Sequence, residues 1–347
     1  MKIKIVSIYS LIHFIVDLSC AILVTNLVKE QINNTLTLFI AVFLYNFFAF
    51  AVQFPIGIIA DKVNKNALFS AIGCILVAIG YGLSSFGVIA CIVAGIGNAM
   101  FHVGGGIDVL NISEKKASLS GVFVSTGAMG IFLGSKSLEW NFNKFYIIVL
   151  ILIFSAILLF WLYNQIKDKV KNEEIIIPNL NKNEHIAILC FIITVCIRGY
   201  VGLILSFDWK SNFILAFVAI LAVVFGKMLG GVIGDKIGFK KISVISLAIA
   251  SIGFIFAFNN SIIGIIAILC FNMTMPITLT ALSNILNKNK GLAFGLLTFA
   301  LFIGYVPVAF GYTTEIFTPV GLFVITIVSL IILFIGIKKY EAAIENK

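Results

Sequence analysis

The sequence predicts an all-α integral membrane protein with twelve transmembrane helices, arranged as two six-helix halves. Of its 347 residues, 61% are hydrophobic and only 11% are charged. Too few polar side chains are therefore present to cover a water-soluble core. Apolar stretches of about 20 residues, the length that spans a bilayer as a helix, recur along the chain. One long polar stretch near the middle separates them into two sets of six.

The predicted helices are separated by clusters of Asn, Lys, Gly, Ser and Asp. In the first half they lie near 3–28, 35–60, 67–85, 87–110, 118–135 and 145–165. In the second half they lie near 184–206, 212–234, 242–258, 261–286, 291–311 and 318–337. The expected domains are therefore an N-terminal bundle over 1–165, a cytoplasmic linker over 166–183 and a C-terminal bundle over 184–347.

The basic residues predict the orientation of the helices. With the N-terminus in the cytoplasm, most of the 24 basic residues fall in the cytoplasmic connections and tails. Four lie on the opposite side: Lys29, Lys136, Lys144 and Lys210. This asymmetry predicts a multi-pass protein of the cell membrane with both termini in the cytoplasm. Because the lysines are spread over every cytoplasmic loop, the net charge of +9 does not indicate a nucleic-acid partner.

The sequence shows no sign of a cofactor. All six cysteines lie within apolar stretches and none forms a CxxC pair, so neither disulfides nor a zinc site are expected. The chain also lacks a P-loop, which leaves ATP-driven transport without support. We therefore expect no metal and no cofactor.

The second half of the chain repeats the first at an offset of 174 positions. This offset pairs Asp61 with Asp235 and Lys62 with Lys236. It also pairs Gly121 with Gly295, Gly130 with Gly304 and Asn98 with Asn272. Two related six-helix halves predict a cavity between them near the membrane midplane, as in a transporter whose halves rock against each other.

The segment GGVIGDKIGFKK (Gly230–Lys241) resembles the loop signature of the major facilitator superfamily. The matching residues are Gly231, Asp235, Lys236, Gly238, Lys240 and Lys241. The first copy keeps Gly57, Asp61 and Lys62, but Asn64 replaces a glycine and Asn66 a base. The resemblance implies the major facilitator fold, a monomer, and loops that hold neighbouring helix ends in one transport state and release them in the other. A purely topological role for the lysines remains the alternative.

Two shorter patterns resemble particular branches of that superfamily. Gly121, Gly130 and Gly134 partly match the glycine pattern of its proton antiporters, although Ser135 stands where a proline is expected. Close helix packing is the alternative role for these glycines. The segments HFIVDL (His13–Leu18) and FH (Phe101, His102) are similar to the fosmidomycin-resistance branch, although Val103 stands where a proline is expected.

Polar side chains within the spans are the candidate site residues, because an ionisable group in hydrocarbon usually faces a cavity or a partner. The resemblance implies that helices 1, 4, 7 and 10 line the central cavity. Those helices carry His13, Asp17, Asn98, His102, Asp108, Arg198, Asn272 and Thr274. We expect His102, Arg198, Asn98, Asn272 and Thr274 to contact substrate. Asp108 lies near a helix end and is expected to reach interfacial water.

His13 and Asp17 are four residues apart and share one face of helix 1. The hypothesis is that Asp17 carries the coupling proton and that His13 tunes it. The alternative is a structural hydrogen bond between the two side chains.

His102 is followed closely by Gly104, Gly105 and Gly106. Three consecutive glycines weaken a helix and let another backbone or a ligand approach, so this segment could bend or form the cavity floor. Tight packing against a neighbouring helix is the alternative.

Arg198 is the one arginine among the 24 basic residues. A guanidinium binds a carboxylate or phosphate through two parallel hydrogen bonds, which points to an anionic substrate or a state-dependent pair with an acid. A fixed pair with Asp17 or Asp208 is the alternative.

These features predict a proton-coupled secondary transporter that exports a small organic molecule, anionic or antibiotic-like, by alternating access. The alternative is proton-coupled uptake of a nutrient such as an organic acid or a sugar. A membrane-embedded enzyme that uses His102 as a base is a remote third reading, because no nucleophile elbow, metal-ligand cluster or phosphate loop accompanies the histidine. The expected partners are the substrate, protons and the lipid bilayer.

Overall fold

A computed structural model of the chain describes residues 1–137, 145–172, 179–313 and 315–345. Within these ranges every regular element is helical. The first six helices are α1 Lys2–Gln31, α2 Thr35–Val63, α3 Asn66–Gly82, α4 Val88–Ile112, α5 Ser118–Ser135 and α6 Phe145–Ile166. The next six are α7 Lys182–Ile204, α8 Phe213–Ile237, α9 Phe239–Phe256, α10 Ser261–Leu286, α11 Lys290–Ala309 and α12 Pro319–Glu345. Part of the predicted linker, residues 173–178, lies outside the described residues.

The described helices confirm the prediction of an all-α membrane protein with twelve apolar helices. Eleven of them are long and apolar enough to cross a bilayer, and α3 is a shorter apolar helix of 17 residues. Most predicted ends agree with the structure to within a few residues. The largest difference is at α12, which continues past position 337 to Glu345 because its last turns, although polar, keep a helical backbone.

Asparagine side chains begin several of the helices. Asn34, Asn212 and Asn260 each accept a hydrogen bond from a backbone N–H of the first turn of α2, α8 and α10 respectively. Asn181 begins α7 with a capping box, in which the side chain of Glu184 reaches back to the Asn181 backbone N–H. The first N–H groups of a helix have no partner within it, so these caps fix where each span starts.

Three helices depart from regular α geometry. Leu23–Val28 in α1 and Phe47–Ala51 in α2 are π-helical, and α10 is interrupted at Met273. The π-helical segment of α1 carries Asn26, whose amide donates to the hydroxyl of Ser137. Such bulges relax the backbone locally and are frequent at functional sites.

The chain forms two compact units. Unit 1 contains Met1–Ile112, Thr126–Ile175 and Lys288–Phe299. Within it, α3 packs against α4 and α6, and α1 packs against α4. The first part of α11 therefore belongs to the unit that holds most of the first half of the sequence.

Unit 2 contains Ser113–Ser125, Ile176–Asn287 and Ala300–Lys347, so the first part of α5 belongs with most of the second half. Within unit 2, α12 packs against α7 and α9, and α10 packs against α8 and α9. The helices of this unit also leave large apolar side chains exposed, among them Ile245, Ile249 and Ile252 on one face of α9. A continuous apolar face of this kind suits contact with lipid.

Candidate functional site

Four polar side chains of unit 1 meet where α1 packs against α4. We call His13, Asp17, Asn98 and His102 the α1–α4 cluster. Asp17 Oδ2 lies 3.2 Å from His13 Nε2, and Asp17 Oδ1 lies 3.6 Å from His102 Nε2. Asn98 Nδ2 donates to Asp17 Oδ1 over 2.9 Å. The cluster is largely buried, with His102 the most exposed of the three ionisable side chains at 13%.

The two histidines of the cluster face each other. Their Nε2 atoms lie 2.7 Å apart, and the rings meet edge to face. His102 Nδ1 lies 2.8 Å from the Asn98 carbonyl oxygen, which can only accept, so Nδ1 carries a proton. At least one Nε2 must then donate to the other. The cluster thus links a carboxylate to two imidazoles through atoms that can exchange protons.

Gly127 on α5 makes room for the cluster. A Cβ atom at this position would overlap Asp17 Oδ2 and His13 Nε2, and the helix backbone can approach them only because the side chain is absent. The sequence analysis missed this glycine. Its signal was weak because it falls outside the spacing of Gly121, Gly130 and Gly134.

The same cluster is the one place among the described residues where the geometry could suit a metal ion. His13, Asp17 and His102 each offer a ligand atom, and these atoms lie within 4.8 Å of one another. Two imidazoles and a carboxylate form a donor set that transition metals accept. The expectation of no metal site remains a prediction.

A second polar group lies in unit 2, where α7 packs against α10. We call Thr194, Arg198 and Thr278 the α7–α10 cluster. Arg198 is buried at 7% exposure, and its Nη1 donates to Thr278 Oγ1 over 3.1 Å. The Thr194 hydroxyl, one turn before Arg198, is buried and has no hydrogen-bond partner in the described chain. Within the described part of unit 2 Arg198 forms no ion pair, with Asp208 or any other acid.

Two further predicted substrate contacts on α10 are used within their own helix. Asn272 Nδ2 donates to the Ile268 carbonyl over 2.8 Å, and Thr274 Oγ1 donates to the Phe271 carbonyl over 3.3 Å. Asn272 is half-buried and Thr274 is buried. Neither side chain has a described hydrogen bond to the α7–α10 cluster, although Thr278 Oγ1 donates to the backbone carbonyl of Thr274 over 3.3 Å.

Asp108 corrects one expectation from the sequence. Instead of reaching interfacial water it is 2% exposed, accepting from Tyr9 Oη over 2.6 Å and from Asn66 Nδ2 over 2.8 Å. The expectation was wrong because α1 and α3 cover this end of α4. Its carboxylate is therefore part of a fixed network within unit 1.

The first loop copy binds the start of another helix. Asp61, near the end of α2, accepts from the backbone N–H groups of Gly291 and Leu292 at the start of α11, over 2.7 and 2.9 Å. A Cβ at Gly57 would overlap the Gly291 carbonyl, so the two backbones are in close contact. We call this the first helix-end contact. A carboxylate is favoured there because free N–H groups and the positive end of the helix dipole face it.

The second loop copy makes the equivalent contact within unit 2. Asp235, near the end of α8, accepts from the N–H groups of Ala117 and Ser118 at the start of α5, over 2.7 and 3.0 Å. A Cβ at Gly231 would overlap the Ala117 carbonyl. We call this the second helix-end contact. Every residue in it lies 174 positions from its counterpart in the first contact.

The remaining motif residues surround these contacts. Lys62, Lys236 and Lys241 are exposed, and Lys240 Nζ pairs with Glu341 at 2.9 Å. Gly238 has φ +93°, a conformation that glycine adopts without strain, and it lets α9 begin directly after α8.

The first loop departs from the motif but keeps the same turn. Asn64 replaces the glycine and adopts the left-handed conformation at φ +54°, which asparagine tolerates better than most residues. Its side chain accepts from the backbone N–H of Asn172 over 2.8 Å. Asn172 also accepts from Asn66 Nδ2 and donates to the carbonyls of Ala60 and Asp61. The two substitutions in the first copy therefore bind the segment that follows α6, a link the sequence analysis missed.

The predicted packing glycines lie at close helix contacts. Within unit 1, a Cβ would overlap the backbone of α3 at Gly104 and that of α1 at Gly130 and Gly134. Gly106 faces the ring of Phe294, and Gly105 is buried. In unit 2, Gly121 faces the Lys227 carbonyl of α8.

Comparisons with known proteins rest on structure alone. The sequence matches no known family profile and no curated protein. Solved structures share the fold over nearly their whole length, and three of them are transporters with known names. The first, FucP in the outward conformation, is described as a major facilitator superfamily transporter (TM-score 0.66, 14% identity, 96% of this chain and 99% of that chain). The chain has the major facilitator fold.

The other two structures agree with this assignment. One is a variant of the E. coli fucose:proton symporter FucP, with a TM-score of 0.67 and 11% identity over 97% of this chain and 99% of that chain. The other is the human organic anion transporter MFSD10 (TETRAN), with a TM-score of 0.71 and 12% identity over 96% of this chain and 99% of that chain. All three structures are of transporters.

Proposed function

We propose that this protein is a proton-coupled secondary transporter of the cell membrane that exports a small organic molecule by alternating access. Its termini face the cytoplasm, it acts as a monomer, and its two sequence halves, 1–165 and 184–347, form the two bundles that move. The loop motif supports the superfamily, and the HFIVDL and FH segments support the fosmidomycin-resistance branch.

The observation that carries the proposal is the α1–α4 cluster. Asp17 lies 15 positions after Lys2, about 22 Å along the helix, and so deep within the span. A carboxylate at that depth is costly unless it has partners or a function. Here it contacts two imidazoles through atoms that can pass a proton. Asp17 is proposed as the proton carrier and His13 as the group that tunes it.

The helix-end contacts supply the element that opens and closes. Each consists of one carboxylate and two backbone N–H groups, so breaking it costs a few charge-assisted hydrogen bonds and the close backbone packing at Gly57 or Gly231. Contacts of this size suit an equilibrium between two states that substrate and proton binding can shift.

Proton-coupled uptake, in which the substrate moves with the proton flux, is the second candidate function. One structural neighbour is a fucose:proton symporter, which supports proton-coupled uptake of a nutrient. The glycine pattern of α5, Gly121, Gly130 and Gly134, favours export instead. The sign of the pH gradient that moves substrate distinguishes the two.

The test is transport by the full chain reconstituted in liposomes. A pH gradient of either sign is imposed, and labelled antibiotics, organic anions, sugars and lipophilic cations are screened. We expect uphill movement against the proton flux, and we expect Asp17→Asn to abolish accumulation while leaving downhill exchange. Asp108→Asn is the matched control, because Asp108 is also a buried carboxylate of unit 1 but belongs to the fixed network with Tyr9 and Asn66.

The other outcomes are equally informative. Movement with the proton flux would make the protein an importer. Proton-driven accumulation by Asp17→Asn would remove the carrier role from this residue, and substrate movement indifferent to the pH gradient would contradict proton coupling altogether.

A further inference from the structure

The guanidinium of Arg198 has far fewer hydrogen bonds than it can make. It carries five N–H donors, and the described chain provides one acceptor, Thr278 Oγ1. The side chain is more than nine-tenths buried, so water reaches it poorly. A buried cation with unused donors is unstable unless an acceptor binds there in some state of the protein.

The neighbouring hydroxyl of Thr194 also lacks a hydrogen-bond partner. Thr194 is 1% exposed, and its Oγ1 is buried without a hydrogen-bond partner within the described chain. Because Thr194 and Arg198 are four residues apart on α7, their side chains lie on one helix face. A buried hydroxyl without an acceptor therefore lies on the same helix face as a guanidinium that has only one.

Thr278 has a different part in the cluster. Its oxygen accepts from Arg198, while its hydroxyl hydrogen is committed to the carbonyls of its own helix, Met275 at 3.0 Å and Thr274 at 3.3 Å. It therefore holds one N–H group of the guanidinium, while the other N–H groups have no acceptor within the described chain. Thr278 is a positioning residue.

From this geometry we propose that the α7–α10 cluster binds the oxyanion of the substrate, a carboxylate, phosphonate or phosphate group, through the free N–H groups of Arg198 and the hydroxyl of Thr194. A planar guanidinium fork matches two oxygens of such a group, and the hydroxyl donates to one of them. The inference deepens the proposed transport function by naming its substrate class, and its use for transport rests on that function. The binding itself does not.

The test measures binding to the purified full chain by thermal stability, since a ligand that binds the folded state raises the melting temperature. The probes are matched pairs: benzoate with benzamide, succinate with succinamide, phenylphosphonate with its dimethyl ester, and glycerol 3-phosphate with glycerol. We expect at least one anion to stabilise the protein at constant ionic strength, and its neutral partner not to. If no anion exceeds its neutral partner, the proposal is wrong.

Substitutions then locate the binding. Arg198→Gln should weaken anion binding roughly 30-fold or more, because it removes a buried hydrogen-bonded charge. Arg198→Lys should keep part of the affinity, since it retains the charge but not the fork. Lys210→Gln is the control, because Lys210 is a largely buried cation of the same unit, with a pKa lowered by burial to about 8, that donates to the Leu205 carbonyl outside the cluster. Anion binding that survives Arg198→Gln, or is lost equally in Lys210→Gln, would overturn the assignment.

Thr194→Val separates binding from folding. This near-isosteric change removes a hydroxyl without a partner, so the unliganded protein should melt at the same temperature as the wild type or higher. Anion affinity should nevertheless fall about tenfold, as for the loss of one hydrogen bond. A lower melting temperature without ligand, with unchanged affinity, would show that Thr194 is structural.

Failure of this inference and failure of the transport proposal look different. Proton-driven transport of neutral or cationic compounds that survives Arg198→Gln would overturn the anion site and leave the transporter intact. Anion binding that depends on Arg198, without any proton-driven movement in liposomes, would support the site and contradict the transport mechanism.

Discussion

The helix-end contacts and the buried polar clusters occupy related helices in the two units, but they follow the internal repeat differently. In the two helix-end contacts every position has its counterpart: Gly57 and Gly231, Asp61 and Asp235, Ala117 and Gly291, Ser118 and Leu292. The bonding is also the same, one carboxylate to two successive backbone N–H groups.

The clusters mostly depart from the repeat, and among their residues only Asn98 keeps an identical counterpart, Asn272. The positions equivalent to His13, Asp17 and His102 are Ala187, Phe191 and Pro276, and those equivalent to Thr194 and Arg198 are Cys20 and Val24. The α1–α4 cluster of unit 1 therefore contains a carboxylate, Asp17, with several polar partners. The α7–α10 cluster of unit 2 contains a cation, Arg198, with one hydrogen-bond partner. The features common to both units are the helix-end contacts, which are the ones proposed to open and close. The proposed roles differ in the same way, with proton exchange assigned to the α1–α4 cluster and anion binding to the α7–α10 cluster.

The largest effect is expected from breaking the helix-end contacts. Asp61→Asn and Asp235→Asn each keep one acceptor oxygen but lose the charge that faces two backbone N–H groups. Each of the two hydrogen bonds to the charged group contributes about 1.5–3 kcal/mol, and the larger part of their combined contribution should be lost in each variant. Because the contacts are equivalent, the two variants should lower the melting temperature by similar amounts and change the transport rate in the same direction.

Asp208→Asn is the control for these variants, since Asp208 is an exposed carboxylate outside both contacts. It should leave stability and transport unchanged. A large fall in melting temperature from only one of the two aspartate variants would contradict this expectation. It would show that two contacts of equivalent geometry contribute unequally to stability.

A smaller effect is expected where the units differ. Gly127→Ala places a methyl group against Asp17 and His13, and overpacking of this kind typically costs about 1–3 kcal/mol. Proton-driven transport should fall with it, because the carboxylate must move from its partners. Gly202→Ala serves as the control, since a Cβ there meets nothing within 4 Å. Full activity of Gly127→Ala would show that the positions of these side chains are not critical.

The fold was accessible from the sequence because its signals are local. Span lengths follow from apolar stretches, and their starts follow from asparagine caps such as Asn34 and Asn260. The 174-residue offset is likewise a property of the sequence, and the structure adds that equivalent helices begin at nearly equivalent positions: Phe145 for α6 and Pro319 for α12.

The site was accessible only in part. The spacing of His13 and Asp17 places them on one helix face, but their approach to Asn98 and His102 depends on how α1 packs against α4. Thr194 could not be distinguished from the other serines and threonines of the spans, because a missing partner is a property of the packed structure. Likewise Asn64 and Asn66 resembled a weakened motif until their contacts with Asn172 were seen.

The smallest effect is expected at Asn172, where the first loop differs from the second. Its side chain joins the carbonyls of Ala60 and Asp61 to Asn66, and so ties the segment after α6 to the turn that carries the first helix-end contact. Asn172→Ala should lower the free energy of unfolding by about 1–2 kcal/mol, as for a few partly buried hydrogen bonds. Asn164→Ala is the matched control, because that exposed side chain bonds only to its own helix at Phe160.

Combining Asn172→Ala with each aspartate variant tests whether the hydrogen bonds of Asn172 support the first helix-end contact. If it does, the effects of Asn172→Ala and Asp61→Asn should not add, because the two residues share the turn at Ala60–Asn64, whereas those of Asn172→Ala and Asp235→Asn should add. Melting temperatures of the two double variants decide this. Additivity in both pairs would mean that the asparagines of the first loop anchor the chain without supporting the first helix-end contact.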